Sequence, residues 1–265
     1  MLTVKNLKTY FYTEDKIVKA VDDVSFNVAE GETLGIVGES GSGKSTVALS
    51  ILKLISSPGK IVSGEILWND KDVLKMQDEE LRRVRGGEIG MIFQDPFSSL
   101  NPVFTIGDQI AEAVSLHQGL KGQGARDKAI DLLETVHIPN AFNRAKGYPH
   151  QWSGGMRQRA VLAMALAGNP ELLIADEPTT ALDVTIQAEI LKLIKEIQNK
   201  FRMSVIFITH NFAIVSGTCD RVMVMKDGKL VEEARVPGIF KSPKDAYTKK
   251  LLDAIPKPRW RGVSS

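Results

Sequence analysis

The segment Gly38-Glu39-Ser40-Gly41-Ser42-Gly43-Lys44-Ser45-Thr46 constrains this chain more than any other, because it joins an apolar run, Thr33 to Val37, directly to a helical pattern. That pattern is carried by Val47, Leu49, Ile51, Leu52, Leu54 and Ile55. Strand, Gly-rich loop and helix in that order are the setting of a phosphate-binding loop. The glycines let backbone N–H groups turn inward around a β-phosphate, and the helix N-terminus adds a favourable dipole. Lys44 is then the bridge between β- and γ-phosphates, and the Ser45 hydroxyl a ligand for Mg²⁺. A flexible Gly/Ser turn is the bland alternative, and it does not account for the apolar strand on one side and the helix on the other.

Two further apolar runs, Leu172 to Ala175 and Val205 to Ile208, lack alternation, as expected of parallel strands covered on both faces. The frame is therefore α/β with a parallel sheet, a phosphate-loop (RecA-like) core. Ahead of the loop, Leu2 to Leu7 and Val21 to Val28, with the turn pair Glu30-Gly31, read as a small antiparallel β subdomain. Residues 95–167 change character: a Pro-bearing loop, Asp95 to Pro102, precedes helical patterns over Ile106 to Val114 and Ala125 to Val136, an inserted α-helical subdomain. Arg221 to Met225 and Leu230 to Glu233, joined at Asp227-Gly228, form a hairpin. The expected division is a core of 1–94 and 168–240, a helical subdomain of 95–167, and a tail of 241–265 whose end, Ile255 to Ser265, is loosely ordered.

Composition excludes more than it identifies. With 43% hydrophobic residues in 265, the chain can bury a full core, and its formal net charge of +2 is too slight for a nucleic-acid or anionic-membrane binder. A single cysteine, Cys219, excludes an internal disulfide and suits a reducing cytoplasm; a small buried hydrophobe is its plainest reading. No secretory signal is expected at the start. The longest apolar stretch, Ala160 to Ala175, is broken by Gly168, Asn169 and Pro170 and falls short of a membrane span, so membrane work is expected through partners.

The run Leu172-Leu173-Ile174-Ala175-Asp176-Glu177 delivers two carboxylates at the end of a buried strand. Asp176 is placed to hold Mg²⁺ beside the phosphate loop, and Glu177 to orient or deprotonate an attacking water. A solvated acid before the Pro178 turn is the plain alternative for Glu177. A third strand, Ser204 to Thr209, brings His210 to the carboxyl side, where α/β sheets bind ligands.

Trp152-Ser153-Gly154-Gly155-Met156-Arg157-Gln158-Arg159 resembles the signature segment of ABC-transporter ATPases. Phe93-Gln94-Asp95-Pro96 is similar to that family's glutamine loop, Ala181-Leu182-Asp183 to its dimer-contact loop, and His210 to its switch histidine. The resemblance implies ATP held between two head-to-tail subunits, by the phosphate loop of one and Ser153, Gly154 and Gly155 of the other. It also implies that Gln94 senses Mg²⁺ and the γ-phosphate while its loop touches a membrane subunit. An aromatic residue upstream of the loop is expected to stack on adenine; spacing favours Phe11, with Tyr10 and Tyr12 close enough to compete.

Phe93 to Pro102, Met156 and Ala246-Tyr247-Thr248-Lys249-Lys250-Leu251-Leu252 resemble the branch that imports dipeptides, oligopeptides and nickel complexes. The implied partners are a second, related ATPase, two membrane-spanning permeases and, indirectly, an extracytoplasmic substrate-binding protein, with no nucleic acid. The implied place is the cytoplasmic face of the membrane. Two departures stand out. Trp152 replaces the usual Leu, and either meets a hollow in an unlike partner or packs within its own helical region. With Cys219 alone and a short tail, the chain is not expected to carry the iron–sulfur cluster of longer members. Other classes fit less well: a nickel importer remains within the same branch, a soluble ABC ATPase would bring a second cassette or a long insert, and a phosphate-loop kinase or GTPase leaves Ser153-Gly154-Gly155 and His210 unexplained.

Overall fold

The computed structural model describes residues 1–95, 99–180 and 182–254. Pro96, Phe97, Ser98, Ala181 and the tail from Ile255 to Ser265, all used above, lie outside the described residues.

Two sheets organise the chain. The smaller has the order β2-β1-β4-β5, built from β1 (Leu2–Tyr12), β2 (Ile17–Val28), β4 (Gly59–Trp68) and the short β5 (Lys71–Asp72), all antiparallel. The larger has the order β10-β9-β3-β8-β7-β6. In it β3 (Thr33–Val37), β6 (Ile89–Ile92), β7 (Leu172–Asp176), β8 (Ser204–Thr209) and β9 (Arg221–Lys226) run parallel, and β10 (Lys229–Arg235) returns antiparallel. Between β9 and β10 both turn residues have positive φ, 48° at Asp227 and 77° at Gly228, which is why an Asp-Gly pair closes this hairpin.

The expected strands at 33–37, 172–175 and 205–208 stand where the apolar runs placed them, each one or two residues longer at most. Alternate residues of one strand feed opposite faces. Leu172 and Ile174 pack with Leu34, Ile36 and α1 (Lys44–Ile51) against the small sheet, whereas Leu173 and Ala175 join Val205 and Phe207 under the helices. Those helices are α3 (Ile106–Gln118), α4 (Gln123–Thr135), α5 (Ala141–Arg144), α6 (Gly154–Ala165) and α7 (Val184–Phe201). Their apolar residues form one continuous cluster with the sheet face, so residues 106–165 share a core with β7 and β8. No helix among the described residues is long and apolar enough to cross a membrane.

Sequence reading missed β4, the four-residue β6, the short α2 (Asp78–Val84) and all of α7. In α7 the buried residues Ile190, Leu193, Ile194 and Ile197 keep the helical 3–4 spacing, so the signal was present in the sequence. Helix α1 stops at Ile51, earlier than the apolar pattern to Ile55 implied, since Leu52 ends it and Lys53 turns to φ 52°. The third cluster, around Val37, Val222 and Val224, is closed by α8 (Phe212–Thr218), α9 (Val236–Lys241) and α10 (Ala246–Asp253). Cys219 sits between this cluster and the helical one; burial drives its thiol up to about 12, so it behaves as a small apolar group.

Candidate functional site

Parallel register gathers the site. Val37 pairs with Thr209, Ile208 with Asp176, and Ala175 with Ile92, so the carboxyl ends of β3, β8, β7 and β6 come out on one edge. From that edge emerge the Gly38–Gly43 loop, His210, Asp176 with Glu177, and Gln94.

The loop is wrapped by neighbouring backbone. Gly43 heads α1 at φ 100°, and a Cβ there would stand 2.0 Å from the Ala20 carbonyl oxygen; at Gly38 it would stand 2.2 Å from that of Met225. No side chain caps α1 at Gly43, and its first turn carries no acid, so the amides of this turn are left to an anion. Ser40 and Gly41 form the exposed tip, Ser42 is buried, and the Thr46 carbonyl accepts the Ser50 hydroxyl at 2.6 Å.

Lys44, 5% exposed, folds back over its own loop and donates to the carbonyls of Gly38 and Glu39, each at 2.9 Å. Burial lowers its pKa, opposed by the charges of Glu177 and Asp176. The Ser45 hydroxyl donates to Asp176 Oδ1 at 3.0 Å. Burial raises the Asp176 carboxyl, and proximity to Glu177 adds to this, against the Ser45 hydrogen bond and the Lys44 charge.

Glu177 turns out of β7 at φ 46°, its N–H donating to the Ile208 carbonyl at 3.0 Å. Its side chain is 11% exposed and fully engaged. Oε2 accepts from Thr180 Oγ1 at 2.7 Å and from Gln94 Nε2 at 3.3 Å, while Oε1 lies 3.0 Å from His210 Nδ1. Burial pushes this carboxyl up, but the contacts with His210 and Thr180, helped by the Lys44 charge, outweigh it and leave the pKa lowered. A merely solvated acid would not have three partners from three parts of the chain.

The residues fit Mg²⁺. Ser45 and Asp176 offer two hard oxygen donors at the foot of an anion site, the arrangement Mg²⁺ takes when phosphate and water complete its shell. Among the described residues no three His, Cys, Asp or Glu side chains form a cage of their own.

Other expected residues lie where different forces put them. Ser153 caps α6, its hydroxyl accepting from the Met156 N–H at 3.3 Å. At Gly155 a Cβ would stand 2.8 Å from Ile186 Cγ2, so α6 and the start of α7 cross closely there. Asp183 caps α7 through the Ile186 N–H at 3.0 Å. Phe11 is half-buried with its ring edge over Gly59, Tyr10 gives its hydroxyl to Asp22 at 2.6 Å, and Tyr12 is exposed. Trp152 is settled: it is 3% exposed inside the helical cluster, with its Nε1 against Gly147. It offers no face to a partner, so of the two readings of Trp152 the one that packs it within its own helical region holds and the hollow in an unlike partner fails.

Two contributors escaped the sequence reading. Thr180, three residues past Glu177, had no signal beyond its hydroxyl. The Asp227-Gly228 turn braces the loop: the Gly228 N–H donates to the Ser42 carbonyl at 3.1 Å, and its carbonyl accepts the Asp22 N–H at 2.7 Å.

The chain is similar to known proteins in sequence and in fold. The profile of the ABC transporter family matches residues 21–180. The chain is 50% identical to a probable peptide ABC transporter ATP-binding protein of Sinorhizobium fredii, covering 100% of this chain and 79% of that one. It is 51% identical to the oligopeptide transport ATP-binding protein OppD of Bacillus subtilis, over 97% of this chain and 72% of the relative. Among solved structures, a dimeric post-hydrolysis state of the ATP-binding cassette MJ0796 with ADP and Pi superposes with a TM-score of 0.79 at 30% identity, covering 89% of this chain and 99% of that one.

Proposed function

Because this chain belongs to the ABC transporter family, we propose that it is the subunit that hydrolyses ATP to drive import of dipeptides or oligopeptides. One observation carries the reading: Ser45, Asp176 and the thrice-held Glu177 converge below the uncapped start of α1. The peptide cargo comes from the printed names of the relatives, of which this chain covers 79% and 72%.

In this reading the loop amides bind the phosphates, and Lys44 leaves the Gly38 and Glu39 carbonyls to meet them. Ser45, Asp176 and Gln94 would hold a Mg²⁺ ion, which would supply neutralisation of phosphate charge. Glu177 takes a proton from the attacking water as His210 and Gln94 keep it aimed. Ser153, Gly154 and Gly155 present a helix N-terminus to the γ-phosphate of an opposing subunit, as does Asp183 its loop, so neither site is complete in one chain. Residues 95–167 act as the body that carries this segment. Permeases dock on that body, where Val103, Phe104 and Phe142 are exposed beside a groove of about 410 Å³ lined by Asp108, Arg126 and Lys146. The chain then works at the cytoplasmic membrane face, served indirectly by an external binding protein. An unlike second ATPase rests on the resemblance to peptide importers alone.

The test is dilution. Specific ATPase activity of the isolated chain should fall as its concentration falls, because association must precede the sandwich, and the chain should co-isolate with two multi-span proteins. Activity independent of concentration in a monomeric sample overturns the shared site.

A further inference from the structure

The last helix of the described chain reaches back to the phosphate loop. Tyr247, 8% exposed in α10, accepts the Glu39 N–H on its hydroxyl at 3.0 Å. The peptide unit between residues 38 and 39 is thereby held from both ends, because its Gly38 carbonyl accepts Lys44 Nζ at 2.9 Å. A planar, trans peptide cannot turn one end without the other. Tyr247 thus fixes the orientation of the peptide on which the phosphate-binding lysine rests.

The hydroxyl is itself built into position. Glu232 of β10 accepts the Lys244 and Asp245 N–H groups, one on each oxygen, at 2.8 and 2.9 Å. Asp245 then caps α10 through the Tyr247 N–H at 2.7 Å. The ring packs in the cluster of Val37, Phe212, Val222 and Ile239, and Lys226 Nζ stands 5.1 Å from its centroid. Val37 ends the strand that launches the loop, so the aromatic ring supports the loop's root and the hydroxyl its first turn.

We propose that Tyr247 is a positioning residue of the nucleotide site, holding the 38–39 peptide so that the loop is preorganised for phosphate. This deepens the reading that the loop binds ATP, and rests on it. The hydrogen bond is neutral, and its loss in a loop that must otherwise be ordered on binding corresponds to about a two- to tenfold change in affinity.

The experiment compares the full-length chain with its Tyr247→Phe and Glu232→Ala variants, titrating each with MgADP and following amide exchange at Glu39. Tyr247→Phe keeps the ring in the cluster and removes the acceptor. The expected result is a two- to tenfold weaker MgADP affinity, faster Glu39 exchange, and in the assembled transporter a raised KM for ATP with kcat held. Glu232→Ala, which frees the helix start without touching the cluster, should move the same quantities the same way. Wild-type affinity and Glu39 exchange in both variants would overturn the proposal while leaving the nucleotide reading intact. Failure of the wild-type chain to bind MgADP would remove the nucleotide reading itself, and the proposal with it.

Discussion

Glu177 Oε1 and His210 Nδ1 stand 3.0 Å apart, joining the end of β7 to the end of β8 across one step of the parallel sheet. The contact gives the carboxylate a fixed direction, and it is the main opposing influence that keeps the pKa of this partly buried group low. At neutral pH Glu177 is therefore an ionised acceptor, the state a base needs.

Glu177→Gln should retain nucleotide and lose hydrolysis by about 10²- to 10⁴-fold, the usual cost of removing a positioned base. The amide can keep its oxygen toward Thr180 and Gln94 and turn its NH₂ toward His210, so the fold has no reason to change. Single-turnover rates on the assembled transporter, with nucleotide retention measured alongside, check this; an undiminished rate removes Glu177 from the role.

The two carboxylates make opposite contributions to stability with pH. The folded pKa of Glu177 lies below its ordinary 4.5, so its contribution is complete above that value and is lost as pH falls through the folded pKa. That of Asp176 lies above its ordinary 3.8, so ionising it as pH rises costs stability. Asp176→Asn removes that cost while keeping an acceptor for Ser45. The nucleotide-free variant should melt higher than wild type at neutral pH, yet lose the extra stabilisation that Mg²⁺ adds to bound ATP. Thermal unfolding with and without MgATP reads both.

Gly43→Ala places a Cβ 2.0 Å from the Ala20 oxygen at a backbone angle of 100°. Strain alone is worth about 1–3 kcal/mol, before the displacement of β2 that the clash requires. The melting temperature should drop by several degrees and nucleotide binding should vanish. A variant that binds MgADP like wild type would show that the loop relaxes without cost.

Trp152→Ala should destabilise the fold by about 3–5 kcal/mol, as emptying a buried aromatic site does. Chemical denaturation gives the number. A loss below about 1 kcal/mol would return Trp152 to the surface role that its burial excludes.

Legibility in the sequence followed distance along the chain. Strand β3, the loop and the start of α1 are neighbours, and apolar runs that meet a glycine turn and a helical period admit one local structure. The same holds for Asp176 and Glu177 at the end of β7, whereas the capping role of Ser153 on α6 was not read and appears only in the structure. The partners of Glu177 are another matter. Gln94 and His210 lie 83 and 33 residues away, and they meet Glu177 only because strand order sets β6, β7 and β8 side by side. Trp152 was undecidable for the same reason: an indole is compatible with a core or an interface, and the packing of helices around it made it core. Tyr247 lies 208 residues from the peptide it holds. Local periodicity determines which segments become strands and helices, but the order in which strands pair is a property of the whole chain's burial, and the joint positions of charges and hydroxyls at the sheet edge exist only once that order is set.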